Sequence, residues 1–187
     1  VVTWNSFAQD GDGYGIYGQR YDTQGNSVST EFKINTEANN DQKFADITSL
    51  KDGGFVVTWA SNGQDGSGYG VYAQRFDSSG STAGGEFQVN TYTTGHQGLI
   101  DNGIANGPSI ASLNGGGFVV TWSSQDQDGS DYGTYGQIFD ASGTKVGVEI
   151  PINTATIRNQ VYGDVTSLQD GGYGNDVFAQ RFNSDGA

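Results

Sequence analysis

Aspartates set among glycines recur at three places in this sequence of 187 residues. The stretch QDGDGYGIYGQRYD at 9–22 returns as QDGSGYGVYAQRFD at 64–77 and as QDGSDYGTYGQIFD at 127–140. Asp10 and Asp12 stand at i and i+2 in the first copy; the second keeps Asp65 with Ser67; the third has Asp126, Asp128 and Asp131 around Ser130. Calcium takes six to eight oxygens, favouring carboxylates and carbonyls on flexible glycine-rich loops, and these loops offer that chemistry. Asp and Gly are equally the residues of a plain hairpin turn. Two or three carboxylates fill only part of a calcium shell, and the EF-hand pattern fails because Tyr21 stands where its closing glutamate would be. Backbone carbonyls or a neighbouring repeat would complete the shell. The loops are not equivalent, so calcium affinities should differ, the second copy being weakest.

The elements that position these loops repeat with them. Trp4, Trp59 and Trp122 end three VVTW segments, and Asn35, Asn90 and Asn153 begin three NT dipeptides, spaced in both cases by 55 and then 63 residues. One unit is therefore repeated over 1–54, 55–117, 118–172 and, in part, 173–187. The longer spacing is an insertion within residues 91–108, which also holds the single histidine, His96. Without identifiable partners, His96 reads as a solvated loop residue and not as a ligand.

Each unit reads as four short strands, such as 44–50, 55–59, 69–76 and 84–91, rich in β-branched and aromatic residues and bounded by turn residues. KDGG at 51–54 and its copies supply the positive φ of a tight hairpin, and Asp22, Asp77 and Asp140 open four-residue turns closed by glycine. In FVVTW, Phe55, Val57 and Trp59 alternate with Val56 and Thr58, so both faces are partly apolar and each expects a covering layer. The expected fold is all-β: a β-propeller, or a propeller segment, built from four-stranded antiparallel meander blades. Sandwich modules need longer units and solenoid coils shorter ones. Three blades and a remnant do not close a ring, so the remainder of a longer chain or another copy is expected to complete it. The opening VVTW, the middle of a repeat, fits a piece of a longer polypeptide. The fourth copy lacks twelve residues equivalent to 56–67, at Tyr173–Gly174, and the intact molecule is expected to contain them. Arg20 with Asp22, and Arg75 with Asp77, suggest a structural ion pair near the strand end that bridges blades.

Composition narrows the function. Acidic residues outnumber basic ones 21 to 8, for a formal charge of −13, which excludes a nucleic-acid surface and makes cations the natural partners. No apolar run reaches the roughly 18 residues that span a bilayer, so membrane insertion is not expected. Cysteine is absent, which removes disulfides and thiol chemistry. The 31 glycines are read as turn residues because Trp, Tyr and Phe are too plentiful for a disordered chain.

The unit GGFVVTWSSQDQDGSDYGTYGQIFDASGTKVGVEIPINT at 116–154 resembles repeats of large secreted or cell-surface bacterial proteins described as hemolysin-type calcium-binding, or RTX-associated. The likeness extends over nearly the whole chain, and integrin-type propeller repeats are a looser one. It implies a propeller-like extracellular module, calcium in its surroundings, and adhesion or surface-layer roles. The nonapeptide GGxGxDxxx of true RTX segments is matched once, as GGYGNDVFA at 171–179, and not in the tandem runs of that family, so that family's ligands do not transfer. Three functions follow: a non-enzymatic, calcium-associated module for cell-surface adhesion or surface assembly; a lectin-like propeller binding glycans; or a glycoside hydrolase or lyase. Against the last, the carboxylates are mostly turn residues, and the sialidase-type SxDxGxTW box is absent.

Overall fold

The computed structural model describes residues 1–99 and 106–167 and the backbone of 177–178. The expected gap at Tyr173–Gly174 lies outside them. All the regular structure among the described residues is antiparallel β. The first sheet holds β1 (Val2–Phe7), β2 (Tyr14–Gln19) and β3 (Phe32–Lys33). The second holds β4 (Gln42–Ser49), β5 (Phe55–Asn62), β6 (Tyr69–Phe76) and β7 (Phe87–Gln88). The third holds β8 (Ser109–Ser112), β9 (Phe118–Gln125), β10 (Tyr132–Phe139) and β11 (Lys145–Pro151), and β12 (Thr166–Ser167) pairs with β13 (Val177–Phe178). Strands pair in chain order, which makes each sheet a meander. Each four-stranded sheet straddles a boundary between sequence units, because its first strand ends the unit before. Among the described residues the sheets do not close into a barrel or a ring.

Register is the same in the three larger sheets: Trp4 faces Tyr17, Trp59 faces Tyr72 and Trp122 faces Tyr135. Local turn chemistry sets it. Leu50 N–H reaches Gly54 O at 2.8 Å across a turn in which Gly53 has φ 86°, and Leu113 N–H reaches Gly117 O at the same distance. After the third strand, one Asp77 oxygen accepts N–H from Ser79 and Ser81 at 2.8 and 3.0 Å, and Asp140 does the same with Ser142 and Thr144. These hydrogen bonds, with that from the Ser79 hydroxyl foremost, hold the Asp77 carboxyl below the usual carboxylate range.

The fourth strand of the second sheet is only Phe87–Gln88, shorter than the 84–91 expected, because side chains replace ladder bonds at both its ends. Gln74 Nε2 donates to Gly84 O at 3.1 Å, and Val71 N–H donates to Asn90 Oδ1 at 2.8 Å. Asn90 Nδ2 then reaches Gln97, as Asn35 reaches Gln42 and Asn153 reaches Gln160. Thus the NT asparagines latch each sheet to a buried glutamine seven residues on, Gln42 at the start of β4 and Gln97 and Gln160 ahead of the next first strand. They also place the inserted residues after Gln97.

The sheets stack face to face. Phe55, Val57, Trp59, Tyr72 and Phe76 pack with Ile16 and Ile34 of the first sheet, while Val56, Val71 and Ala73 join Phe118, Val120, Trp122, Tyr135 and Phe139 of the third. The alternation in FVVTW therefore separates two cores, one on each face of the sheet, as its pattern requires. Phe55 stacks on Phe76 at 4.7 Å, and Phe118 on Phe139 at 4.8 Å. Beyond these cores, the first strands lie side by side, β4 against β8 and β8 against β12.

Arginine bridges the sheets, but not through the carboxylate two residues on. Arg20 Nη2 donates to Ser78 O at 2.8 Å and its Nη1 to Ser79 O, while Arg75 Nη1 donates to Ser142 O at 2.9 Å. Asp22 and Asp77 are occupied by their own turns, so each guanidinium reaches the carbonyls of the next sheet's turn instead.

Candidate functional site

The three acidic loops join β1 to β2, β5 to β6 and β9 to β10, and their backbones superpose in hydrogen bonding. Ala8 N–H reaches Gly13 O at 2.6 Å, Gly63 N–H reaches Gly68 O at 2.5 Å, and Asp126 N–H reaches Asp131 O at 2.6 Å. All six of these residues have positive φ. Asp126 and Asp131 therefore fill backbone positions held elsewhere by Gly or Ala, which Asp tolerates better than most residues. Both side chains are exposed.

Asp12, Ser67 and Ser130 share another task. Their side-chain oxygens accept the N–H of Asn40, Gly95 and Arg158 at 2.9, 3.1 and 3.2 Å, tying each loop to the connection that follows the fourth strand. One acceptor oxygen suffices, which explains why Ser replaces Asp. His96 is similar: its Nδ1 accepts Tyr69 N–H at 3.2 Å, where Asp41 accepts Tyr14 N–H in the first copy.

Asp10, Asp65 and Asp128 turn inward over Gly15, Gly70 and Gly133, where a Cβ would come within 2.6, 2.7 and 2.9 Å of the carboxylate. Glycine there makes room for the acid. Asp10 is only 3% exposed in its side chain, and Lys33 Nζ lies 2.9 Å from its Oδ2. The pairing of Tyr17 with Lys33, Tyr72 with Gln88 and Tyr135 with Pro151 makes Gln88 and Pro151 the counterparts of that lysine. Charge is thus balanced in the first copy only. Asp65 Oδ1 accepts Ser67 N–H at 3.1 Å and Asp128 Oδ1 accepts Ser130 N–H at 3.2 Å, but Oδ2 of each is buried without a hydrogen-bond partner. Desolvation, partly offset by these hydrogen bonds, pushes the Asp65 carboxyl up. Burial, followed by the charge of Asp65, pushes the Tyr72 phenol up to about 12.

Around each inward aspartate lies a polar set that the loop motifs do not announce. Gln64 Nε2 donates to Glu86 Oε1 at 2.6 Å, and Glu86 Oε2 accepts Thr36 N–H and O–H at 2.6 and 2.9 Å from the preceding sheet. Gln127, Glu149 and Thr91 repeat the arrangement. Gln64 Oε1 and Gln127 Oε1 are buried without partners beside this set. The signal for these residues was their recurrence at the repeat spacing. Among the described residues, no three His, Cys, Asp or Glu side chains gather as a metal-holding group.

A second constellation lies where the first strands of successive sheets meet. Asp46, Ser109 and Asp164 occupy one position of the repeat. Asp46 Oδ2 accepts Ile110 N–H at 2.9 Å, and the Ser109 hydroxyl lies 2.5 Å from Asp164 Oδ1 and 3.3 Å from Asp46 Oδ2. They line a pocket of about 360 Å³ with Phe44, Pro108 and Tyr162. An aspartate inside a strand pattern, as in FADITSL and GDVTSL, was the available sequence signal.

No protein-family model matches the chain, and no curated protein matches it. Among solved structures it is similar to an alpha-L-arabinofuranosidase from Lactobacillus brevis, at 14% identity and a TM-score of 0.42, over 98% of this chain and 74% of that one.

Proposed function

We propose that the chain is a non-enzymatic, extracellular, calcium-associated β-propeller module serving cell-surface adhesion or surface assembly. Support for the propeller comes from the stacking: the same meander recurs, an aromatic face of one sheet covers an aliphatic face of the one before, and the first strands adjoin. The leading face of the first sheet, with Val2 and Tyr21 54% and 42% exposed, is the counterpart of faces covered in the second and third. The remainder of a longer chain, or another copy, would cover it.

The observation that carries the calcium reading is an orphaned carboxylate oxygen on each of Asp65 and Asp128 with no ammonium beside it, whereas Asp10, whose oxygens also lack hydrogen-bond donors, has Lys33 at its Oδ2. A buried carboxylate oxygen without a donor is costly, and a bound cation offsets that cost. Asp65 with Gln64, and Asp128 with Gln127, would hold the ion, and backbone or water oxygens would supply the rest. Calcium bound there would supply the positive charge that Lys33 brings to Asp10. This moves the candidate sites from the first loop to the second and third. Equilibrium dialysis against radioactive calcium tests it: binding that is lost in the Asp65→Asn, Asp128→Asn variant supports the reading, and no retained calcium refutes it.

A further inference from the structure

We infer that the pocket between the first strands of the second, third and fourth sheets binds a neutral saccharide. Its volume, about 360 Å³, lies within the range of small-ligand sites and suits a mono- or disaccharide. Phe44 and Tyr162 hold the same position in their repeats, on either side of Gly107, and both have left-handed backbones, with φ of 60° and 66°. Bulky aromatic residues rarely adopt that region, and residues held there gather at ligand clamps. Gly107, without a left-handed φ, sits where a Cβ would clash with Phe44, and the other two copies keep a ring. Tyr162 is 50% exposed, and its hydroxyl has no partner among the described residues.

The lining selects the ligand class. Asp46 and Asp164 bring negative charge, and among the described residues no Lys, Arg or His lines the pocket, so phosphates, sulfates and acidic sugars are repelled. Its polar walls do not suit a lipid. Aromatic faces beside hydrogen-bond acceptors are the chemistry that takes the C–H face and hydroxyls of a sugar. Asp164 Oδ2 is free to accept a sugar hydroxyl. Both Asp46 oxygens are already used, Oδ1 by Ile47 N–H at 2.8 Å and Oδ2 by Ile110 N–H at 2.9 Å. Asp46 is thereby held as a strand fastener between two backbone N–H groups. The assignment is to binding without turnover.

The inference deepens the adhesive reading by naming what is held, and it does not depend on calcium. Saturation-transfer NMR on the full chain, with methyl glycosides of the common hexoses and pentoses as probes, tests it in calcium and again in chelator. The expected result is binding of at least one glycoside in both, weakened about tenfold or more by Asp164→Asn and by Tyr162→Gly. Because glycine relieves the left-handed backbone, Tyr162→Gly should keep or raise the melting temperature while losing the sugar. That combination separates a ligand platform from a packing residue. Absence of binding across the panel, or binding untouched by Tyr162→Gly, overturns the inference. Release of free sugar from a nitrophenyl glycoside, abolished by Asp164→Asn, overturns the binding-only assignment.

Discussion

Lys33 Nζ lies 2.9 Å from Oδ2 of Asp10, a carboxylate almost wholly withdrawn from solvent, and the copies of this aspartate at 65 and 128 have no such lysine. The same buried acid is therefore met in two ways, by an internal ammonium in the first sheet and, among the described residues, by no ammonium or guanidinium in the others.

Removing that ammonium should expose the difference. Lys33→Met leaves Asp10 buried and unpaired, and because Lys33 is itself 29% exposed, the loss should be moderate, about 1–3 kcal/mol in urea unfolding. Calcium should restore part of it. An unchanged midpoint would show that solvent reaches Asp10 after all.

Asp65 has a pH dependence of definite sign. Desolvation raises its folded pKa above the unfolded value, so the stability it contributes is present below the unfolded pKa and is lost as pH rises through the folded one. Asp65→Asn should accordingly raise the melting temperature at neutral pH in chelator, with the gain vanishing in acid. Asp77 is opposite: its lowered pKa gives stability that is present above the unfolded value and lost as pH falls through the folded one. Melting curves between pH 3 and pH 8 read both, each variant against the parent.

Glu86 joins two sheets through Thr36, 50 residues away. Glu86→Ala and Thr36→Val should each destabilise, and a double-mutant cycle should return a coupling of about 0.5–1 kcal/mol, modest because the pair is exposed. A coupling of zero would assign the sheet junction to packing alone.

Trp59 and Trp122, at 0% and 1% exposure, fill the layers between sheets. Trp59→Ala should cost about 3–5 kcal/mol, seen as a collapse of the urea midpoint. Trp4, on the uncovered leading face, is partly exposed and should alone be quenched readily by acrylamide.

Strands, hairpins and two-faced sheets were legible because their causes are local: alternation in FVVTW, glycine in KDGG, and an Asx-turn at Asp77. The separate duties of the aspartates were not. Whether Asp12 is a ligand or a fastener depends on Asn40, 28 residues on, and Ser67 shows the answer only once Gly95 is beside it. Asp126 and Asp131 carry positive φ with exposed side chains, which residue type alone did not announce. Lys33 reaches Asp10 through a strand of two residues, too short to carry a periodic signal. Arg20 was legible as a bridge but not its target, since Ser78 and Ser79 meet it only when sheets stack. The same holds for Asp46, Ser109 and Asp164.

The most direct test is the melting temperature of the full chain in calcium and in chelator, for the parent, for Asp10→Asn, Asp12→Asn, and for Asp65→Asn, Asp128→Asn. The expected result is a calcium-dependent rise in the parent that survives the first pair of substitutions and disappears with the second. A parent that melts identically with calcium and chelator, or a shift that depends on Asp10 and Asp12 alone, would contradict it.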